Sequence, residues 1–147
     1  MSRPLLRLVS VAVFAAVLLA GWLLRDGGFS PAPSEPSAST AVLDRAFAER
    51  RSNLWVTVTA PVERLLPDDR KGNPHQRFLL RLPSGLTVLV AHNIELAERV
   101  PLTVGDTVEI RGEYEWNDKG GVLHWTHHDP SGRRDGGHIR YDGRVYR

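Results

Sequence analysis

Cysteine is absent from this chain of 147 residues. Its absence excludes disulfides, thiolate metal centres, cysteine nucleophiles and lipid attachment at cysteine. It leaves the compartment open, because a chain without thiols tolerates an oxidising one. The chain also has no glycine-rich Lys-Ser/Thr loop, no dinucleotide fingerprint and no internal repeat. Ser84 and Ser131 fall in turn sequences without a nucleophile elbow, which argues against a serine hydrolase. Charge of one sign is lacking where it would matter. The formal net charge is +2, but residues 53–147 carry 13 basic and 13 acidic side chains, and the surplus lies in residues 1–52. Nucleic acid is therefore not an expected partner of the folded part.

A single long apolar run is present, at residues 8–24 behind Arg3 and Arg7, interrupted only by Ser10 and Gly21. With the residues before it, the run reaches the ~20 residues that cross a bilayer core as a helix. Residues 1–26 thus read as a signal anchor or a cleaved signal peptide. The run is long for a signal peptide, and Leu18 spoils a small-x-small site ending at Ala20. Both features favour the anchor. The flanking arginines then predict an inner-membrane protein with its domain in the periplasm, the membrane being its first partner. Release into the periplasm after cleavage is the alternative.

Residues 27–40, with Pro31, Pro33 and Pro36 among Ser and Ala, read as a linker. Residues 41–52 predict a short helix capped by Thr40, with Val42, Leu43, Ala46 and Phe47 as its apolar stripe. Beyond Leu54 the apolar period becomes two. Val56, Val58, Ala60 and Val62 mark a long first strand, and residues 66–74 a polar loop. Strands follow at residues 75–82 and 86–92, then a short helix at 94–100, then strands at 106–116 and 121–128. A last hairpin turns at Asp142-Gly143, a two-residue turn signal. The order predicts a mainly β fold, a small five-stranded OB-like barrel at residues 53–130 with a short helix after the third strand. Residues 131–147 form a C-terminal basic hairpin.

Several short motifs stand out: Leu66-Pro67-Asp68-Asp69, His75-Gln76-Arg77-Phe78, Ala91-His92-Asn93-Ile94, Gly112-Glu113-Tyr114-Glu115-Trp116-Asn117, and the run from Gly120 to Pro130. Together they resemble the bacterial family called domain of unknown function 3465, over roughly residues 58–146. The resemblance implies small exported or membrane-tethered proteins and supplies no mechanism. A tryptophan is expected after Gly136-Gly137, where this chain has His138, so no role passes to His138.

Half of the histidines, His124, His127 and His128, fall in that last run beside Trp125. Imidazole suits both metal ligation and proton transfer near neutral pH. A two-residue turn at Ser84-Gly85 would pair Phe78 with Ala91 and Arg77 with His92, gathering His75, Arg77 and His92 on one face, with Asn93 and Trp125 near. A three-residue loop at 118–120 would set Tyr114 opposite His124 and Ile110 opposite His128, on the apolar face. His124, His128 and Tyr114 are then either core or site. His127 and Asp129 lie two strand residues apart, about 6.6 Å, a spacing at which side chains chelate.

Three functions follow from this reading. The first is a module binding an anionic or carbohydrate ligand through His75, Arg77, His92, Asn93 and Trp125. The second is a metal-dependent hydrolase of phosphodiesterase or nuclease type. It would hold a divalent metal such as zinc on His127, Asp129 and a histidine from another strand, with Asp69 or a further histidine as base. The third is a structural part of an envelope complex.

Overall fold

A computed structural model describes residues 38–147. The apolar run at 8–24, the predicted anchor and most of the predicted linker lie outside them. The order is one helix, α1 (Ala38–Ala48), and seven strands: β1 (Leu54–Asp69), β2 (His75–Arg81), β3 (Thr87–Asn93), β4 (Thr107–Glu115), β5 (Val122–His124), β6 (His138–Tyr141) and β7 (Arg144–Tyr146). Among the described residues no helix is long and apolar enough to cross a membrane.

The seven strands form one sheet in the order β1-β2-β3-β5-β4-β6-β7, and β1 also pairs with β4. Five strands therefore close a ring of pairings. β1 makes this closure by changing partners along its length. Residues Leu54 to Pro61 pair with β4, and Val62 onward pairs with β2. Pro61, which has no N–H to donate, stands at the hand-over, where the lost donor costs least. A bulge between Val62 and Arg64 then bends the strand. The strand continues to Asp69, so the loop expected from residue 66 begins four residues later.

Alternation does the rest. Val56, Val58, Ala60 and Val62 from β1, Phe78 and Leu80 from β2, Val88 and Val90 from β3, Val108, Ile110 and Tyr114 from β4 and Leu123 from β5 point inward and are buried. Leu43 and Ala46 of α1 join this cluster, and Ser84 in the β2–β3 turn donates to Asp44 at 2.5 Å. The helix thus sits at the turn end of β2 and β3. It begins three residues earlier than expected, with Thr40 buried inside it rather than capping it. It ends in paired bonds from Arg50 N–H to the Phe47 carbonyl (3.2 Å) and Arg51 N–H to the Ala46 carbonyl (2.9 Å).

Both predicted hairpin registers are corrected by one residue. The β2–β3 turn has three residues, 83–85: Leu82 pairs with Leu86, and the Leu82 carbonyl accepts from Gly85 N–H at 2.9 Å. Phe78 therefore faces Val90, Arg77 faces Ala91 and Gln76 faces His92. In β4–β5, Tyr114 faces Leu123, and Glu113 faces His124. The longer loop is held by Asn117, whose Oδ1 accepts from Lys119 N–H (2.9 Å) and Gly121 N–H (3.0 Å). The short helix expected after the third strand is a single turn at residues 94–97, and Pro101 keeps Val100 out of helical geometry.

Gly121 shows why the second register holds. Its φ is +88°, and a Cβ there would lie 2.3 Å from the Tyr114 ring. The ring fills that space and donates its hydroxyl to the Gly120 carbonyl at 3.1 Å. Gly121→Ala is expected to cost about 3 kcal/mol in urea unfolding, combining strain with a displaced core aromatic. Gly143→Ala, at φ +72° with nothing within 4 Å, is expected to cost only about 1 kcal/mol. Equal costs would contradict the packing described.

Candidate functional site

β5 is three residues long because β4 needs its edge for another strand. Glu113 to Glu115 pair with β5, while Glu109 to Arg111 pair with β6. The two short strands lie end to end on one edge of β4, and residues 125–137 leave and return between them. Trp125 begins this excursion in the left-handed region, at φ +53°. At its base Gly137 N–H donates to the His127 carbonyl at 2.7 Å. A Cβ on Gly137 would strike the carbonyl oxygens of Trp125 (2.1 Å) and Arg111 (2.3 Å), so only glycine closes the loop this tightly.

The excursion covers the end of β2 and β3 remote from α1, and a cleft of about 550 Å³ opens there. Its walls are Asn73 and His75 at the start of β2, Ala91 and Asn93 at the end of β3, Leu96 from the following turn, and His124, Trp125, His127 and Pro130. Of the expected ligand set, His75, Asn93 and Trp125 are therefore brought together, and they are joined by His127, expected as a metal ligand. Arg77 is not among the lining residues, and its Nε donates to the Pro67 carbonyl at 2.9 Å. His92 is corrected from the outer patch to the interior, because the register places it opposite Gln76 and leaves it wholly buried.

His92 anchors the floor. Its Nε2 lies 3.1 Å from the Glu98 carbonyl, which can only accept, so Nε2 carries the proton. Nδ1 then accepts from the Thr126 hydroxyl at 2.8 Å. Burial, above all, depresses the pKa of His92 to about 4, and the nearby His127 and His75 push the same way. Beside it the Gln76 side chain donates to the Val100 carbonyl (2.8 Å) and accepts from Val100 N–H (2.9 Å), filling the place of a missing strand pair. Asn93 accepts from Glu95 N–H at 2.9 Å and starts the turn.

Above the floor, His127 Nδ1 donates to the His128 carbonyl at 2.7 Å, which makes Nε2 its basic nitrogen. Its ring stands 5.4 Å from that of Trp125, over which the Arg134 guanidinium lies at 5.1 Å. Asp129, expected as a metal partner of His127, is committed to the loop. Its carboxylate accepts from Ser131 N–H and Oγ, Arg133 N–H and Arg134 N–H at 2.8 to 3.0 Å. These bonds, the Ser131 hydroxyl first, hold its pKa below the ordinary carboxylate value.

His128, expected on the apolar face, has an exposed side chain, because β5 ends before reaching it. His124, also expected there, is half-buried on the outer face instead. Its Nε2 is buried without a hydrogen-bond partner, 3.8 Å from a Glu113 oxygen. Burial lowers the pKa of His124, against the opposing pull of Glu113 and Glu115. Glu113 and Glu115 were not expected to matter. Their alternation opposite His124 was the available signal. His138 lies 3.3 Å from Glu109, which Arg140 also contacts at 3.1 Å.

Since the folded chain rejects a proton that the unfolded chain accepts from about pH 6.5 down to about 4 at His92, stability should fall as pH falls through that window. The expected loss from His92 between pH 7 and pH 5 is about 2 kcal/mol, read from urea unfolding at the two pH values. His92→Asn should remove most of that slope. An unchanged slope in the variant would contradict the buried neutral imidazole.

No curated protein matches the chain. The family model described as "Protein of unknown function (DUF3465)" matches residues 29–147, a span that includes every described strand and the helix. On that match the chain is a member of the DUF3465 family.

Proposed function

We propose that this protein is a ligand-binding module for an anionic or carbohydrate ligand, with the histidine-lined cleft as its site. The observation that carries the reading is the lining itself. Three histidines, two asparagines and Trp125 face the cleft, and no aspartate or glutamate is among its walls. Imidazole and amide N–H groups donate to oxygen acceptors, and an indole face packs on a sugar ring. The ring of five strands supports an OB-like barrel, since β1 pairs with both β2 and β4 and β3 runs parallel to β5. The apolar run at residues 8–24 supports an exported domain held at the membrane in the periplasm.

The hydrolase reading is weaker at its expected residues, because the Asp129 oxygens are already occupied by loop donors.

The test is tryptophan fluorescence titration of the full chain with phosphate, sulfate and uronic-acid oligosaccharides. Saturable binding is expected for at least one of them. It should weaken by at least about tenfold in His75→Ala and in Trp125→Ala, with urea midpoints close to the parent's. No binding by the parent, or parental affinity in both variants, would overturn the reading.

A further inference from the structure

We infer that Glu113, Glu115 and His124 form a binding site for one divalent transition-metal ion of the zinc class. Glu113 and Glu115 are two apart on the outer face of β4, and His124 of β5 is the direct cross-strand partner of Glu113. One ligand atom from each lies within 4.8 Å of the other two. Donors about 2.1 Å from a tetrahedral ion stand roughly 3.4 Å apart, so small side-chain rotations complete the site. The strands supply the frame and only the side-chain ends need to move.

Two further observations point to a cation as the ligand of this cluster. The Nε2 of His124 is buried and has no hydrogen-bond partner, a state that costs free energy unless something ligates it. Glu113 is only 13 % exposed, yet the two basic side chains within 4 Å, the imidazole of His124 and the guanidinium of Arg134, stand 3.8 and 3.7 Å from it, too far for hydrogen bonds. One ion would satisfy the imidazole and the carboxylate together. Nitrogen ligation alongside two carboxylates suits zinc, cobalt or manganese over calcium or magnesium. Three protein ligands leave a coordination position for water or an incoming oxygen. His124 also borders the cleft, so that position would lie at the cleft's edge. The site does not depend on the cleft's binding a ligand.

The test is calorimetric titration of the full chain with zinc alone, with cobalt absorption as a second readout of the ligand set. One zinc per chain is expected. Affinity should fall at least about tenfold in Glu115→Gln and in His124→Ala, and stay parental in His128→Ala and His138→Ala. Circular dichroism of each variant separates ligand loss from unfolding, and Glu113→Gln provides a third, shape-preserving variant. Absence of stoichiometric zinc binding would overturn the site. So would parental affinity in folded His124→Ala and Glu115→Gln, or loss of binding in His127→Ala with His124→Ala unaffected. Anion and oligosaccharide titrations run in chelator test the cleft separately, so either reading can fail alone.

Discussion

The structure depends on β4 having both of its edges occupied. β1 takes one edge for eight consecutive pairs, from Leu54 with Tyr114 to Pro61 with Thr107. The other edge is shared by β5 and β6 in succession. That sharing shortens β5, ejects Trp125 into left-handed geometry and sends residues 125–137 over the end of the ring. The segment so displaced supplies Trp125, His127 and Pro130 to the cleft wall, which ties the cleft to how this edge of β4 is shared.

The floor under the cleft is polar where an ordinary core would be apolar. His92 and Gln76, cross-strand partners, each direct their hydrogen bonds to other segments. His92 holds Thr126 at the start of the excursion and Glu98 after the turn, and Gln76 holds Val100. Two irregular segments, residues 94–106 and the excursion, are thus tied to two regular strands. Such a network is favourable only when every member is satisfied, and here each ring nitrogen and each amide atom named has a partner. His124 is the exception, and the unsatisfied nitrogen lies on the outer face beside the two glutamates, away from this network.

Much of the fold was legible, and the reasons differ by element. Period-two alternation in β1 and β4 located the core face, since Val58 sits between Thr57 and Thr59 and Ile110 between Glu109 and Arg111. The Asp142-Gly143 signal located the last turn, where both residues have positive φ. The β2–β3 register was not legible, because residues 88–91 are apolar on both faces and either face can turn inward. The β4–β5 register was legible and was missed. Leu123 flanked by polar His124 matches Tyr114 flanked by Glu113 and Glu115 only if leucine faces tyrosine. Of the candidate site, His75, Asn93, Trp125 and His127 survive as neighbours because the excursion returns them together. Arg77 and His92 do not line the cleft. Arg77 turns to the Pro67 carbonyl, and the single-residue shift moves His92 inside.

The most direct test of this account is the pattern of cross-strand backbone nuclear Overhauser effects in the isotopically labelled protein. The account predicts contacts between Arg77 and Ala91 and between Glu113 and His124, with none continuing along β4 from Thr126 to His128. Contacts between Arg77 and His92, and between Tyr114 and His124, would contradict it. They would turn His92 outward and His124 inward and dissolve both the cleft floor and the metal site.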